Sequence, residues 1–98
     1  MNDILTTDQV SAITNILTQY APDGWTSLKM HLVTDEMYTE LTTWAETESN
    51  PKHGFRLDSE DRPVLDELID AAWESSGRAW NTLDFAVTAD GDFEINAQ

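Results

Sequence analysis

There is no cysteine among the 98 residues, which excludes a disulfide framework, a thiolate metal site and a thiol nucleophile together. Basic side chains are nearly as scarce. Five Lys and Arg stand against nineteen Asp and Glu, for a formal net charge of −14. So large an excess of one sign repels phosphate backbones and anionic lipid, and direct nucleic-acid binding is excluded with them. No apolar run approaches a membrane span, and Met1 to Thr7 lacks a basic segment leading into an apolar stretch. The expectation from both is a soluble cytoplasmic protein.

What the chain does have is enough apolar material for one core. Forty per cent of its residues are hydrophobic, and four Trp, three Phe and two Tyr supply bulk, so the chain is not a disordered acidic tail. Residues 1–98 are read as a single domain, long enough to bury roughly two-thirds of its unfolded surface. The acidic field attracts a cationic partner from a distance and can raise association rates by about one to three orders of magnitude. Solubility, or adaptation to high salt, is the other reading of the same charge.

Thr6-Thr7-Asp8-Gln9 has the spacing of a capping box, with Leu5 placed to staple onto Val10. Val10, Ile13, Ile16, Leu17 and Tyr20 then recur at helical spacing until Ala21-Pro22-Asp23-Gly24, giving a first helix over residues 7–20. From Trp25 to Val33 the period becomes two. Leu28, Met30 and Leu32 oppose Ser27, Lys29 and His31, which is a strand. Thr34-Asp35-Glu36 reads as a turn, and the Thr-rich, aromatic segment Met37 to Thr47 as a second strand paired with the first. Glu48 to Gly54 is loop, and Phe55-Arg56-Leu57 a short edge strand. Ser59 or Asp61 caps a second helix with Pro63 in its first turn, an apolar stripe of Val64, Leu65, Leu68, Ile69, Ala72 and Trp73, and a left-handed stop at Gly77. Leu83, Phe85 and Val87, the positive-φ-tolerant pair Asp90-Gly91, and Phe93 and Ile95 make a closing hairpin with one apolar face. Trp80 lies on the opposite parity and should meet the end of helix 2 or cover a sheet edge.

The fold class expected is therefore α+β, in the order α-β-β-(β)-α-β-β. It is a mainly antiparallel sheet of four to five strands with two helices packed on one face.

Candidate chemistry is thin. His31 and His53 are the only bases of the usual kind, and no motif surrounds them, so the chain is read as a non-enzyme. Asp90-Gly91-Asp92-Phe93-Glu94 lacks the spacing of a calcium loop, and Asp58-Ser59-Glu60-Asp61 is what compensation of a helix dipole alone produces; no metal and no cofactor is expected. Two surfaces suit a partner instead. On the second strand Tyr38, Glu40, Trp44 and Glu46 share a face with Thr42, interleaving aromatics with acids as a contact for a basic protein does. On helix 2 Asp66, Glu67, Asp70 and Glu74 fall opposite the apolar stripe, a carboxylate ridge with something of the spacing of phosphates. Core packing is the expected role of Trp25, Trp73 and Trp80.

The closing segment, Trp80-x-x-Leu83-x-Phe85-x-Val87 followed by Asp90-Gly91-x-Phe93-x-Ile95, resembles the C-terminal hairpin of the YezG-like immunity (antitoxin) proteins. The resemblance aligns Gly24-Trp25 with the start of the first strand, and the acidic helix ending near Gly77 with that family's long helix. It implies a small α+β cytoplasmic protein that binds and neutralises a basic toxin domain, often a nuclease, by occluding its active or substrate-binding surface. An acidic nucleic-acid mimic or regulatory binding module unrelated to toxins stays open beside it, as does a small acidic halophilic-type domain.

Overall fold

A computed structural model describes residues 5–35 and 37–98. Glu36, in the expected turn, and Met1 to Ile4 lie outside the described residues. The elements are α1 (Thr7–Thr18), β1 (Trp25–Thr34), β2 (Thr39–Thr47), β3 (His53–Phe55), α2 (Asp61–Ser75), β4 (Thr82–Thr88) and β5 (Phe93–Ala97). The five strands form one antiparallel sheet in the order β3-β2-β1-β4-β5. The α+β order expected from the sequence is the one observed.

Helix α1 starts as its sequence dictates. The Gln9 N–H donates to the Thr6 hydroxyl at 3.1 Å and the Thr6 N–H to the Gln9 side-chain oxygen at 2.9 Å. Leu5 and Val10 are both buried in the one core, as a staple requires. Helix α2 is capped from further back than expected. Neither Ser59 nor Asp61 caps it; Asp58 does, its carboxylate accepting the N–H groups of Glu60 and Asp61 at 3.0 Å each and its carbonyl that of Arg62. The N–H donors of Asp61 and then Glu60 hold the Asp58 carboxyl below its ordinary value, because they favour the charged form. The other end of α2 is a Schellman turn. The Gly77 N–H donates to the Glu74 carbonyl and the Arg78 N–H to that of Trp73, with Gly77 at φ 74° and Arg78 at φ 60°.

Both helices lie on one face of the sheet. Leu28, Met30, Leu32, Ala45, Leu83, Phe85 and Val87 from the strands meet Val10, Ile13, Ile16, Leu17, Leu65, Ile69, Ala72 and Trp73 from the helices in a single core. Thr43 is buried among them, its hydroxyl donating to the Phe55 carbonyl at 2.6 Å, which satisfies a group that would otherwise be costly there. Trp73 and Trp80 join this core, and the Trp73 indole N–H donates to the Trp80 carbonyl at 2.6 Å. Trp80 thus meets the end of α2. Trp25 also packs against the core, although its odd number would place it with Lys29 and His31. The register shifts between Trp25 and Ser27, and one extra residue exchanges the two faces of a strand. Tyr20 ties the layers together by stacking on Phe55 at 5.7 Å and donating its hydroxyl to Asp61 at 2.5 Å.

Three further expectations are corrected. The edge strand is His53–Phe55, two residues earlier than Phe55-Arg56-Leu57. Val64 is 49% exposed, since the stripe of α2 that faces the sheet is narrower than its apolar residues allow. Phe93 is 56% exposed, because the helices stop short of the β5 edge. The closing hairpin turns through three residues: the Gly91 N–H bonds the Thr88 carbonyl and the Thr88 N–H that of Asp92. Gly91 alone takes positive φ there, at 97°.

Candidate partner-binding surface

The other face of the sheet has no second layer. Alternation along β1, β2 and β4 puts Lys29, His31 and Val33, then Glu40, Thr42, Trp44 and Glu46, then Asp84 and Ala86 on this bare side. Among the described residues Trp44 is its one large aromatic, and it is half-buried in the sheet surface itself. Its cross-strand neighbours are Lys29 on β1 and Gly54 on β3. Gly54 presents no side chain, which leaves room beside the indole for the Lys52 ammonium, 4.8 Å from the ring centroid. On the other flank lies a depression of about 320 Å³ that Trp44 lines with Lys29, Asp84, Ala86, Glu94 and Asn96.

Charges on this face are paired across strands. Lys29 meets Glu46 at 2.5 Å, and His31 Nδ1 lies 2.5 Å from an Asp84 oxygen. Both pairs are more than a third exposed, so each adds little to stability. Together they set side chains of both signs around Trp44. Glu40 and Glu94 are exposed at opposite margins. The face is thus an aromatic centre inside a mixed, net-acidic surround.

The eight side chains singled out in the sequence divide between two places. Glu40, Trp44 and Glu46 lie together on the bare face. Tyr38 does not join them: it precedes β2, with its N–H and that of Met37 held by the Asp35 carboxylate. It is 55% exposed and lines a depression of about 510 Å³ with Asp70, Trp73, Glu74 and Arg78. Tyr38 therefore belongs with the helix ridge. On that ridge Asp66 accepts from Arg62 Nε at 3.0 Å, and Glu74 from Arg78 Nη2 at 2.8 Å. Glu67 and Asp70 lie exposed between those two pairs.

Lys29, His31, Lys52 and Asp84 also belong to the bare face and are not among those eight; His31 enters the sequence reading only as a candidate base. The polar parity of β1 marks the first two. For Asp84 and Lys52 the signal is absent, because only the pairing of β1 with β4 and the path of the β2–β3 loop bring them in.

Among the described residues no group of three or more His, Asp or Glu is placed to hold a metal ion, and no helix is long and apolar enough to cross a membrane. Compared with protein-family models and with curated proteins, the chain matches none.

Proposed function

We propose that this protein binds a cationic protein through the bare face of its sheet, with Trp44 as the anchor. One observation carries this: a five-stranded sheet, covered by helices on one side only, exposes on the other a half-buried Trp set in a net-acidic surround. Trp is among the residues that dominate binding energy when a partner completes their burial. The surplus of carboxylates over the whole molecule steers a basic partner towards it. Read with the likeness of the closing hairpin to YezG-like immunity proteins, the partner is a basic toxin domain, a nuclease for preference. Neutralisation is then occlusion, with no catalysis by this chain. Cytoplasmic residence in the producing cell follows from the same reading.

The helix ridge is the second reading, as an acidic mimic of a nucleic-acid backbone, and Glu67 and Asp70 favour it. It is the weaker one: Asp66 and Glu74 are matched with Arg62 in α2 and Arg78 just beyond its end, as two acids of the bare face are with Lys29 and His31, but no half-buried Trp lies among the ridge's acids.

Co-expression with the basic domain of a toxin encoded beside this gene tests the proposal. The parent protein and the Asp66→Lys/Asp70→Lys variant should protect the host, and Trp44→Ala should not. Protection that survives Trp44→Ala and fails with the ridge variant would overturn the bare-face assignment. No protection by the parent protein would overturn the immunity reading itself.

A further inference from the structure

The β5 side of the sheet ends in an open edge. Thr82 and Gln98 exchange both backbone hydrogen bonds at 2.9 Å, and the Thr88 N–H donates to the Asp92 carbonyl at 2.8 Å. Bonded pairs alternate along an antiparallel ladder, so with Asp84 opposite Asn96 and Ala86 opposite Glu94, these residues also turn their backbone groups towards β4. The N–H and C=O groups of Phe93, Ile95 and Ala97 then point outward, where among the described residues nothing bonds them. Such a row is a template for one more strand.

Beside it runs a groove of about 280 Å³ between α1 and the hairpin, walled by Val10, Ser11, Thr14, Val87 and Phe93. Phe93 lies on the helix side of the sheet and is left uncovered there. The charge near the edge is of one sign. Asp8, Asp90, Asp92 and Glu94 are exposed, and all five Lys and Arg fall between residues 29 and 78, so α1, β4 and β5 contain none.

We propose that β5 accepts an added antiparallel strand from a cationic protein segment in which apolar and basic residues alternate. Side chains opposite Phe93, Ile95 and Ala97 lie on the helix side of the sheet, the first of them at the groove beside α1, and are best apolar. Those opposite Glu94 and Asn96 lie on the bare side and are best basic. A second copy of this chain does not suit the edge, because pairing β5 with itself brings together two molecules of net charge −14. The inference rests on the preceding reading only in taking the partner to be a cationic protein.

The probe is a nine-residue synthetic peptide of alternating Val and Lys, followed by amide hydrogen exchange in NMR spectra of the full chain. At saturation, exchange at Phe93, Ile95 and Ala97 should slow by about tenfold or more while Glu94 and Asn96 change little. Alternating Val and Glu should give no protection, nor should the Val–Lys peptide methylated at its valine amides, the groups an antiparallel addition aims at β5. Ile95→Pro should weaken binding about tenfold, since an edge strand tolerates Pro on its outward N–H; if that variant does not fold, the methylated peptide decides alone. Trp44→Ala should leave the protection intact, which separates failure here from failure of the bare-face reading. Protection absent from the three outward amides, equal binding of the methylated peptide, or a dimer by sedimentation without peptide would overturn the proposal.

Discussion

Phe85 and Trp44 are aromatic residues of one sheet on its two opposite faces, and they show how the same alternation is put to two uses. Phe85 on β4 is 1% exposed beneath the helices. Trp44 on β2 is half-buried on the side that has no helices. Burying an aromatic under a second layer stabilises the chain itself, whereas leaving one incompletely covered holds back contact energy for a partner. The charges follow the same division. The helix side of the sheet contains hydroxyls satisfied within the fold, as at Thr43, and the bare side carries Lys29, Glu46, His31 and Asp84.

Substitutions on the two faces should therefore separate stability from binding. The largest effect is expected at Phe85→Ala, which should cost about 3–5 kcal/mol and unfold much of the population near 37 °C; a denaturant melt checks it, and a midpoint close to the parent's would mean the sheet register is wrong. Trp44→Ala should lower fold stability by less than about 1.5 kcal/mol yet weaken partner binding by about 2 kcal/mol, some thirtyfold, as isothermal titration would show. Equal losses in both measurements would erase the distinction between the faces. Reversing Glu40 and Glu46 to Lys should reduce affinity about tenfold, mainly through an on-rate that also falls with salt. Reversing Asp66 and Asp70 should do less, and stopped-flow kinetics at two ionic strengths can rank the pairs. Thr6→Ala, far from the bare face, should cost about 1 kcal/mol through the lost cap and leave affinity unchanged.

The smallest effect is the acid response of α2. The Asp58 carboxyl lies below its ordinary value in the folded state, so its contribution is fully present above the ordinary carboxylate range. It is lost as pH falls through the lowered folded value. Thermal midpoints should be flat in this respect above about pH 5 and decline below about pH 4. Asp58→Asn keeps an acceptor for both N–H groups and should flatten part of that decline.

Local signals in the sequence carried most of the architecture. The capping box at Thr6 and Gln9, the parity of Leu28, Met30 and Leu32, and the stop at Gly77 each depend on neighbours within a few residues, and each element appears where those neighbours place it. Features set by distant chain segments were not legible. That Lys29 and Asp84 border the same depression follows from β4 pairing with β1 on the side away from β2, which no local pattern encodes. Tyr38 shares the parity of Trp44, but the strand starts one residue after it, and the Asp35 carboxylate holds the turn so that Tyr38 meets α2. Val64 and Phe93 read as core because they are apolar; how far the two helices reach across the sheet decides otherwise. Of the candidate site, the Glu40, Trp44 and Glu46 row was readable from alternation alone, and its cationic neighbours only in part.

The strand order β3-β2-β1-β4-β5 also sets a timetable for folding. The central strand, β1, finds one neighbour almost at once, through the short connection to β2, but its other neighbour begins only at Thr82. Closing that pairing means ordering a stretch of roughly fifty residues, which slows the search for the native state. During synthesis, then, the flank of β1 that awaits β4 keeps its backbone N–H and C=O groups unpaired until the β4–β5 hairpin has left the ribosome and docked. A nascent chain stalled after α2 would have both helices and half a sheet, and it would be the species most in need of a chaperone.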